Sequence, residues 1–177
     1  MPPDAPENKP PSPSAASPPA CERQRWSALP LCLVIAFLPA LTGFLAGPGA
    51  WYGSLQKPAW NPPSWVFGPV WTLLYLMIGI ALWRLWCAGG RRWSGASSAL
   101  AIFAGQLLLN GLWTPCFFGL HAIGLALVVI VLLWLAIIAT IVSAWRHSRL
   151  AACLLVPYGL WVSFAAFLNF TLWRLNP

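Results

Sequence analysis

A small set of polar and aromatic residues recurs at helical spacing inside the apolar stretches of this chain, and these are the side chains that could do chemistry. Gln106 and Asn110 stand four apart, with Trp113 one turn further on. Trp161, Ala165 and Asn169 repeat the same spacing, as do Trp71 and Tyr75. Residues three or four apart share one face of an α-helix. Three helices therefore each present aromatic rings beside amide or hydroxyl groups. In apolar surroundings such polar groups need a partner, either in a neighbouring helix or in a ligand. Two readings follow. In one, the groups make interhelical hydrogen bonds and the rings pack. In the other, they line a cavity suited to a flat, largely apolar ligand.

Much other chemistry is excluded by what is missing. The acidic residues are Asp4, Glu7 and Glu22, so none follows position 22. Paired-carboxylate hydrolysis, carboxylate-held calcium or magnesium and Ser-His-Asp triads all need an acid that the apolar region lacks. Cys21, Cys32, Cys87, Cys116 and Cys153 are widely spaced and form no CxxC pair. Cysteine in apolar helices acts as a small hydrophobe, so neither a disulfide framework nor a metal site is expected. His121 and His147 fall in predicted loops, where solvated or interfacial histidine is expected. No cofactor is indicated.

The elements that must position these residues are set by the solvent. Of 177 residues, 59% are hydrophobic and 7% charged. A soluble domain carries roughly a quarter charged residues because its surface faces water. This chain cannot cover a water-facing globule, and the lipid bilayer is its solvent. Five apolar stretches are near the ~20 residues that cross about 30 Å of hydrocarbon. They run from about 29–47, 65–87, 98–118, 122–144 and 150–173. Lipid offers no hydrogen bonds to backbone, and strand alternation is absent, so helices are predicted. The fold class is an all-α membrane protein, a bundle of five transmembrane helices. Residues 1–25 form a Pro/Ser/Ala-rich tail without apolar periodicity, expected to be disordered, and residues 26–177 form the transmembrane domain. The connections around Gly119–His121 and Trp145–Arg149 are short. That from Pro48 to Ser64 is long and rich in Trp, Pro and Gly, and long loops in compact bundles are usually functional.

Five spans put the termini on opposite sides. Lys9, Arg23, Arg25, Arg84, Arg91, Arg92, Arg146 and Arg149 then share one side, and Lys57 and Arg174 the other. By the positive-inside rule the N-terminus is cytoplasmic. The charges form no basic stripe, so nucleic acid is not an expected partner of this chain despite its pI near 9.7. Of 13 Trp, Trp86, Trp93, Trp145 and Trp173 lie at helix ends, where indoles favour the membrane interface. The interface does not account for Trp51, Trp60, Trp65 and Trp71, crowded around the first loop, or for Trp113 and Trp161 within spans.

The run WYGSLQKPAWNPPSWVFGPVWTLLY, from Trp51 to Tyr75, resembles the signature of the TspO/MBR family (translocator protein, tryptophan-rich sensory protein), WYxxLxKPxWxPPxWxFxxxWxxLY. QLLLNGLW, from Gln106 to Trp113, followed by Phe117 and Phe118, is similar to the third-helix motif of that family. PYGLWVSFAAFLN, from Pro157 to Asn169, is similar to its fifth. The resemblance covers roughly residues 28 to 176. It implies that the first loop folds over a pocket between the helices. That pocket binds porphyrins and, in some members, sterols and synthetic isoquinoline and benzodiazepine drugs. The matched pocket positions are Tyr52, Pro62, Trp71, Asn110, Trp161 and Ala165. Some bacterial members degrade protoporphyrin in light, which would make Trp71 and Trp161 catalytic; otherwise no catalytic residue is implied.

One departure bears on the ligand. Animal members carry a cholesterol-recognition pattern with a Tyr before a basic residue at the end of the last helix. Here Phe170 and Thr171 stand in that region before Arg174. This turns the expectation from sterol towards tetrapyrroles, protoporphyrin and haem, bound and transported or sensed by a bacterial envelope protein. The alternatives are a light-dependent porphyrin-degrading enzyme, a sterol-binding translocator and a purely structural bundle. The resemblance also implies a homodimer, and Gly105 and Gly111 are small enough for close helix contact.

Overall fold

The computed structural model describes residues 26–89 and 93–177, with side chains described for 26–88 and 98–177. The predicted tail of residues 1–25 lies outside the described residues, as do Arg91, Arg92 and the side chain of Trp93. The helices are α1 (Leu29–Phe37), α2 (Ala40–Leu45), α3 (Ala50–Ser54), α4 (Ser64–Gly89), α5 (Trp93–Thr114), a π-helical turn (Pro115–Gly119), α6 (Ile123–His147) and α7 (Arg149–Leu175). No strand occurs among the described residues.

Four helices, α4, α5 with its π turn, α6 and α7, are long and apolar enough to cross a membrane. They match the second to fifth predicted spans to within a few residues. The first predicted span, 29–47, is not one helix. It breaks into α1 and α2, and Leu29–Leu45 is shorter than the other four. The cause is Pro39, which has no N–H and whose ring crowds the carbonyl four residues back. Around it the backbone tightens to three-residue bonds: Leu38 N–H to the Ile35 carbonyl at 3.3 Å, Leu41 to Leu38 at 3.1 Å and Thr42 to Pro39 at 3.2 Å.

Other expectations need adjustment at the turns. The predicted five-residue connection Trp145–Arg149 is helical except for Ser148, whose Oγ accepts from the Ala151 N–H at 3.3 Å and caps α7. His147 is therefore not in a loop; it is the last residue of α6, with Nδ1 2.9 Å from the Ser143 carbonyl. His121 does lie in a turn and adopts a left-handed φ of 54°.

The larger of two buried clusters runs across the bundle, from Ala36 on α1 through Ile78, Phe103 and Ile137 to Leu155 and Tyr158. Gly79 allows α1 to approach α4: a Cβ there would lie 2.7 Å from Leu33 Cδ2 and 3.0 Å from Leu33 Cα. The outward faces are apolar too, with Leu108, Val128, Val142 and Leu160 all exposed. An apolar exterior around an apolar core is the pattern of a multi-pass membrane protein.

Candidate functional site

The site begins with two amide hubs. The Tyr75 hydroxyl on α4 donates to Asn110 Oδ1 at 3.0 Å. Asn110 Nδ2 on α5 donates to the Tyr158 hydroxyl on α7 at 2.7 Å. Nearer the opposite end, Trp113 Nε1 donates to Asn169 Oδ1 at 3.0 Å. Asn169 Nδ2 donates in turn to the Ile123 carbonyl at the start of α6, also at 3.0 Å. These bonds join all four long helices. Each such bond inside a membrane contributes on the order of 0.6 kcal/mol and at most about 1.7, so the hubs fix geometry more than they add stability.

Four of these residues, Tyr75, Asn110, Trp113 and Asn169, also line a cavity of about 620 Å³, bounded by α1, α2, the first loop, α4, α5, the π turn, α6 and α7. Trp71, Trp161, Tyr52 and Phe117 supply rings, and Asn110 and Asn169 supply amides; among the described residues no charged side chain lines it. Interhelical hydrogen bonds and ring packing are thus made by side chains several of which also line the cavity. Trp71 stacks on Tyr75 with centroids 5.3 Å apart. Trp161 meets Phe67 edge-on at 5.9 Å. The indole Nε1 of Trp161 is buried without a hydrogen-bond partner among the described residues.

Of the six predicted site residues, Tyr52, Trp71, Asn110, Trp161 and Ala165 line this cavity, and Pro62 does not. Pro62 stands behind the wall: its carbonyl accepts from Asn61 Nδ2 at 3.0 Å, and Asn61 Oδ1 accepts from the Tyr52 hydroxyl at 3.1 Å. Its link to the cavity runs through Tyr52. Gln106, grouped with Asn110 by spacing, is also absent from the wall. It is fully buried, and neither atom of its amide has a partner among the described residues.

The first loop reaches the cavity through Pro48 and Tyr52 and is held by ring contacts of Trp51, Tyr52 and Trp60 and by one amide clasp. Trp51, on the short helix α3, stacks on His121 at 4.2 Å with planes 16° apart. Tyr52 meets Phe118 edge-on at 5.5 Å, and Trp60 stacks on Phe167 at 5.3 Å. The clasp joins Gln56 to Asn176. Lys57 Nζ donates to the Gly53 and Leu55 carbonyls, both at 3.1 Å, and lies 4.8 Å from the Tyr52 ring centroid. Burial of the Tyr52 phenol raises its pKa above the ordinary tyrosine value, opposed in part by the bond to Asn61.

Sequence reasoning missed the wall made by the broken first helix. Phe37, Pro39, Gly43, Phe44 and Gly47 line the cavity, and the signal was present: 39, 43 and 47 are small or kinking residues at four-residue spacing. A Cβ on Gly47 would lie 2.8 Å from the Gly43 carbonyl oxygen. The π turn was missed as well. Pro115 cannot donate, the Leu120 N–H reaches back five residues to its carbonyl at 2.8 Å, and the extra residue turns Phe117 and Phe118 into the wall.

Comparison with known proteins adds to this geometry. A family model described as the TspO/MBR family matches residues 28–174. The chain is 45% identical over 138 residues to protein CrtK of Rhodobacter capsulatus, covering 77% of this chain and 84% of that one. It is 45% identical over 148 residues to tryptophan-rich protein TspO of Chlorobaculum tepidum, covering 83% and 92%. To the translocator protein of Homo sapiens it is 44% identical over 134 residues, covering 75% and 79%. A match across nearly the whole described chain, joined to a cavity walled by the residues that carry the motifs, places this protein in the TspO/MBR family.

Proposed function

We propose that this protein binds a tetrapyrrole, protoporphyrin or haem, in the cavity closed by the first loop, and senses or translocates it across a bacterial membrane. One observation carries the reading: five separated motif residues, Tyr52, Trp71, Asn110, Trp161 and Ala165, wall one cavity, with no charged side chain among the described residues that line it. Its ~620 Å³ is within the range of small-molecule sites. Indole faces suit a planar macrocycle. An amide carries two N–H donors; Asn110 gives one to Tyr158, which leaves a second for a ligand carbonyl or carboxylate. The relatives are named as sensory and as translocator proteins, and both names fit a reversible ligand.

The broken first helix completes a fifth crossing in this proposal, with residues 1–25 as an appended tail on the cytoplasmic side. A homodimer would use the outer face of α5, where Gly105 has open space beside the exposed Leu108 and Leu112. Gly111 serves the chain itself, facing Pro39.

Titration of the purified protein with protoporphyrin and with haem in darkness, read by tryptophan quenching, tests the function. Saturable quenching at one ligand per chain supports it. Quenching that never saturates would refute it and leave a structural bundle. The same titration under illumination addresses a second reading, favoured by two indoles on one cavity wall: light-driven breakdown of porphyrin at Trp71 and Trp161. Loss of the macrocycle absorbance only when protein and light are both present would establish that activity.

A further inference from the structure

A second concavity lies on the outside of the bundle, away from the ligand cavity. Its floor is a stripe of α6, Leu135, Ile138, Ala139, Val142 and Arg146, and Ser98 on α5 supplies part of the facing wall. The groove is an open one, of about 750 Å³. Its apolar residues are exposed, so they contact whatever surrounds the protein. Polarity changes along its length. From Leu135 to Val142 it is hydrocarbon, and at the end of α6 it carries the Arg146 guanidinium with Ser143 and His147 beside it.

We infer that this groove is a binding site for an anionic phospholipid, with an acyl chain along Leu135–Val142 and the phosphate at Arg146. Dimensions carry the first part. Leu135 and Arg146 stand eleven positions apart, a rise of about 16 Å at 1.5 Å per residue, and one leaflet of the hydrocarbon core is about 15 Å thick. With Leu135 at the bilayer centre, Arg146 stands at headgroup level. Charge carries the second part. The chain has ten Lys and Arg against three Asp and Glu, a net charge of +7. Its own acids cannot neutralise its cations, and no acid occurs after residue 22. A cation at membrane-surface level attracts anionic headgroups, and Arg146 stands where the apolar groove ends.

Native mass spectrometry of the full chain released from micelles tests this, with palmitoyl-oleoyl phosphatidylglycerol, the matching phosphatidylcholine and inorganic phosphate as probes. Phosphatidylglycerol is expected to be retained in preference to phosphatidylcholine. Arg146→Gln should weaken its retention about five-fold, the loss of one cation at the membrane surface. Ala139→Trp, which fills the groove and leaves the charge alone, should weaken it as well. Arg149→Gln removes the same charge outside the groove and should bind like wild type. An Arg149→Gln loss equal to that of Arg146→Gln would overturn the site in favour of diffuse attraction. Displacement by inorganic phosphate with no effect of Ala139→Trp would overturn the lipid in favour of a soluble anion. Exclusion of lipid from a dimeric species, with lipid on the monomer alone, would assign the groove to a second copy of this chain.

Discussion

The backbone of Gln56 and the side-chain amide of Asn176 hold each other by two reciprocal hydrogen bonds across 120 residues of sequence. The Gln56 N–H donates to Asn176 Oδ1 at 2.9 Å, and Asn176 Nδ2 donates to the Gln56 carbonyl at 3.0 Å. Asn176 Nδ2 also donates to the Leu172 carbonyl at 2.9 Å, at the end of α7. A single side chain therefore caps the last helix and clasps the loop that reaches the cavity.

Asn176→Ala should loosen the loop without unfolding the bundle. Each lost bond contributes about 0.5–1.5 kcal/mol, and both are exposed, so the lower end applies. Amide exchange at residues 48–63 should rise several-fold while exchange within α6 and α7 stays unchanged. Porphyrin should dissociate faster. Unaltered exchange in the loop would show that the ring contacts alone hold it.

Trp71→Phe and Trp161→Phe should each weaken porphyrin binding several-fold, since a well-placed large aromatic contributes about 0.5–1.5 kcal/mol beyond its area. Trp86→Phe, outside the cavity wall, should bind normally. Asn110→Asp should be worse for folding than Asn110→Ala, because it sets a charge at membrane depth between two tyrosine hydroxyls. Quenching titrations of the folded variants decide the matter. Wild-type affinity in both indole variants would remove these residues from the site.

Gln106→Leu should leave stability unchanged or raise it. The wild-type amide is buried with neither atom bonded among the described residues, and an unsatisfied buried polar group costs about 1–3 kcal/mol. Thermal unfolding in detergent reads the change. A marked fall in Tm would mean that the amide has a partner which leucine removes.

Gly79→Ala should destabilise the contact between α1 and α4. The added methyl meets the Leu33 backbone at 3.0 Å as well as its side chain, so rotamer change alone does not relieve it. Overpacking of this kind costs about 1–3 kcal/mol. The same substitution at Gly105, where a Cβ meets nothing within 4 Å, should be tolerated. Tm values for the two variants make the comparison.

Alkaline pH should open the loop. Burial raises the Tyr52 pKa, so the folded state holds the phenol proton more tightly than the unfolded chain does. The resulting stability is present below the ordinary tyrosine range near pH 10 and is lost as pH rises through the folded value. Deprotonation also removes the donor of the bond to Asn61. Loop exchange, corrected for its intrinsic pH dependence, should accelerate in that window in wild type. Tyr52→Phe should show no such acceleration.

The sequence by itself determined the solvent, the helices and the positions of the motifs. Too few charges to meet water, apolar runs of membrane length and no strand alternation leave helices in lipid, and four runs fold as such to within a few residues. Pro39 was as visible as any residue, yet its effect on the first run depends on what stands beside the break; here that space is the cavity, walled by Pro39 and Gly43. Spacing placed Gln106 and Asn110 on one face. It could not say that Asn110 meets Tyr75 and Tyr158 while Gln106 is buried without a partner among the described residues. The physical reason is that helical periodicity reports which residues of one helix lie together, and in a chain apolar on every side it carries little record of which neighbour they face. That choice is made by packing between helices, by contacts as local as Leu33 against Gly79. The clasp from Gln56 to Asn176 was invisible for the same reason: two amides 120 residues apart become partners only once the bundle has brought the first loop to the end of the last helix.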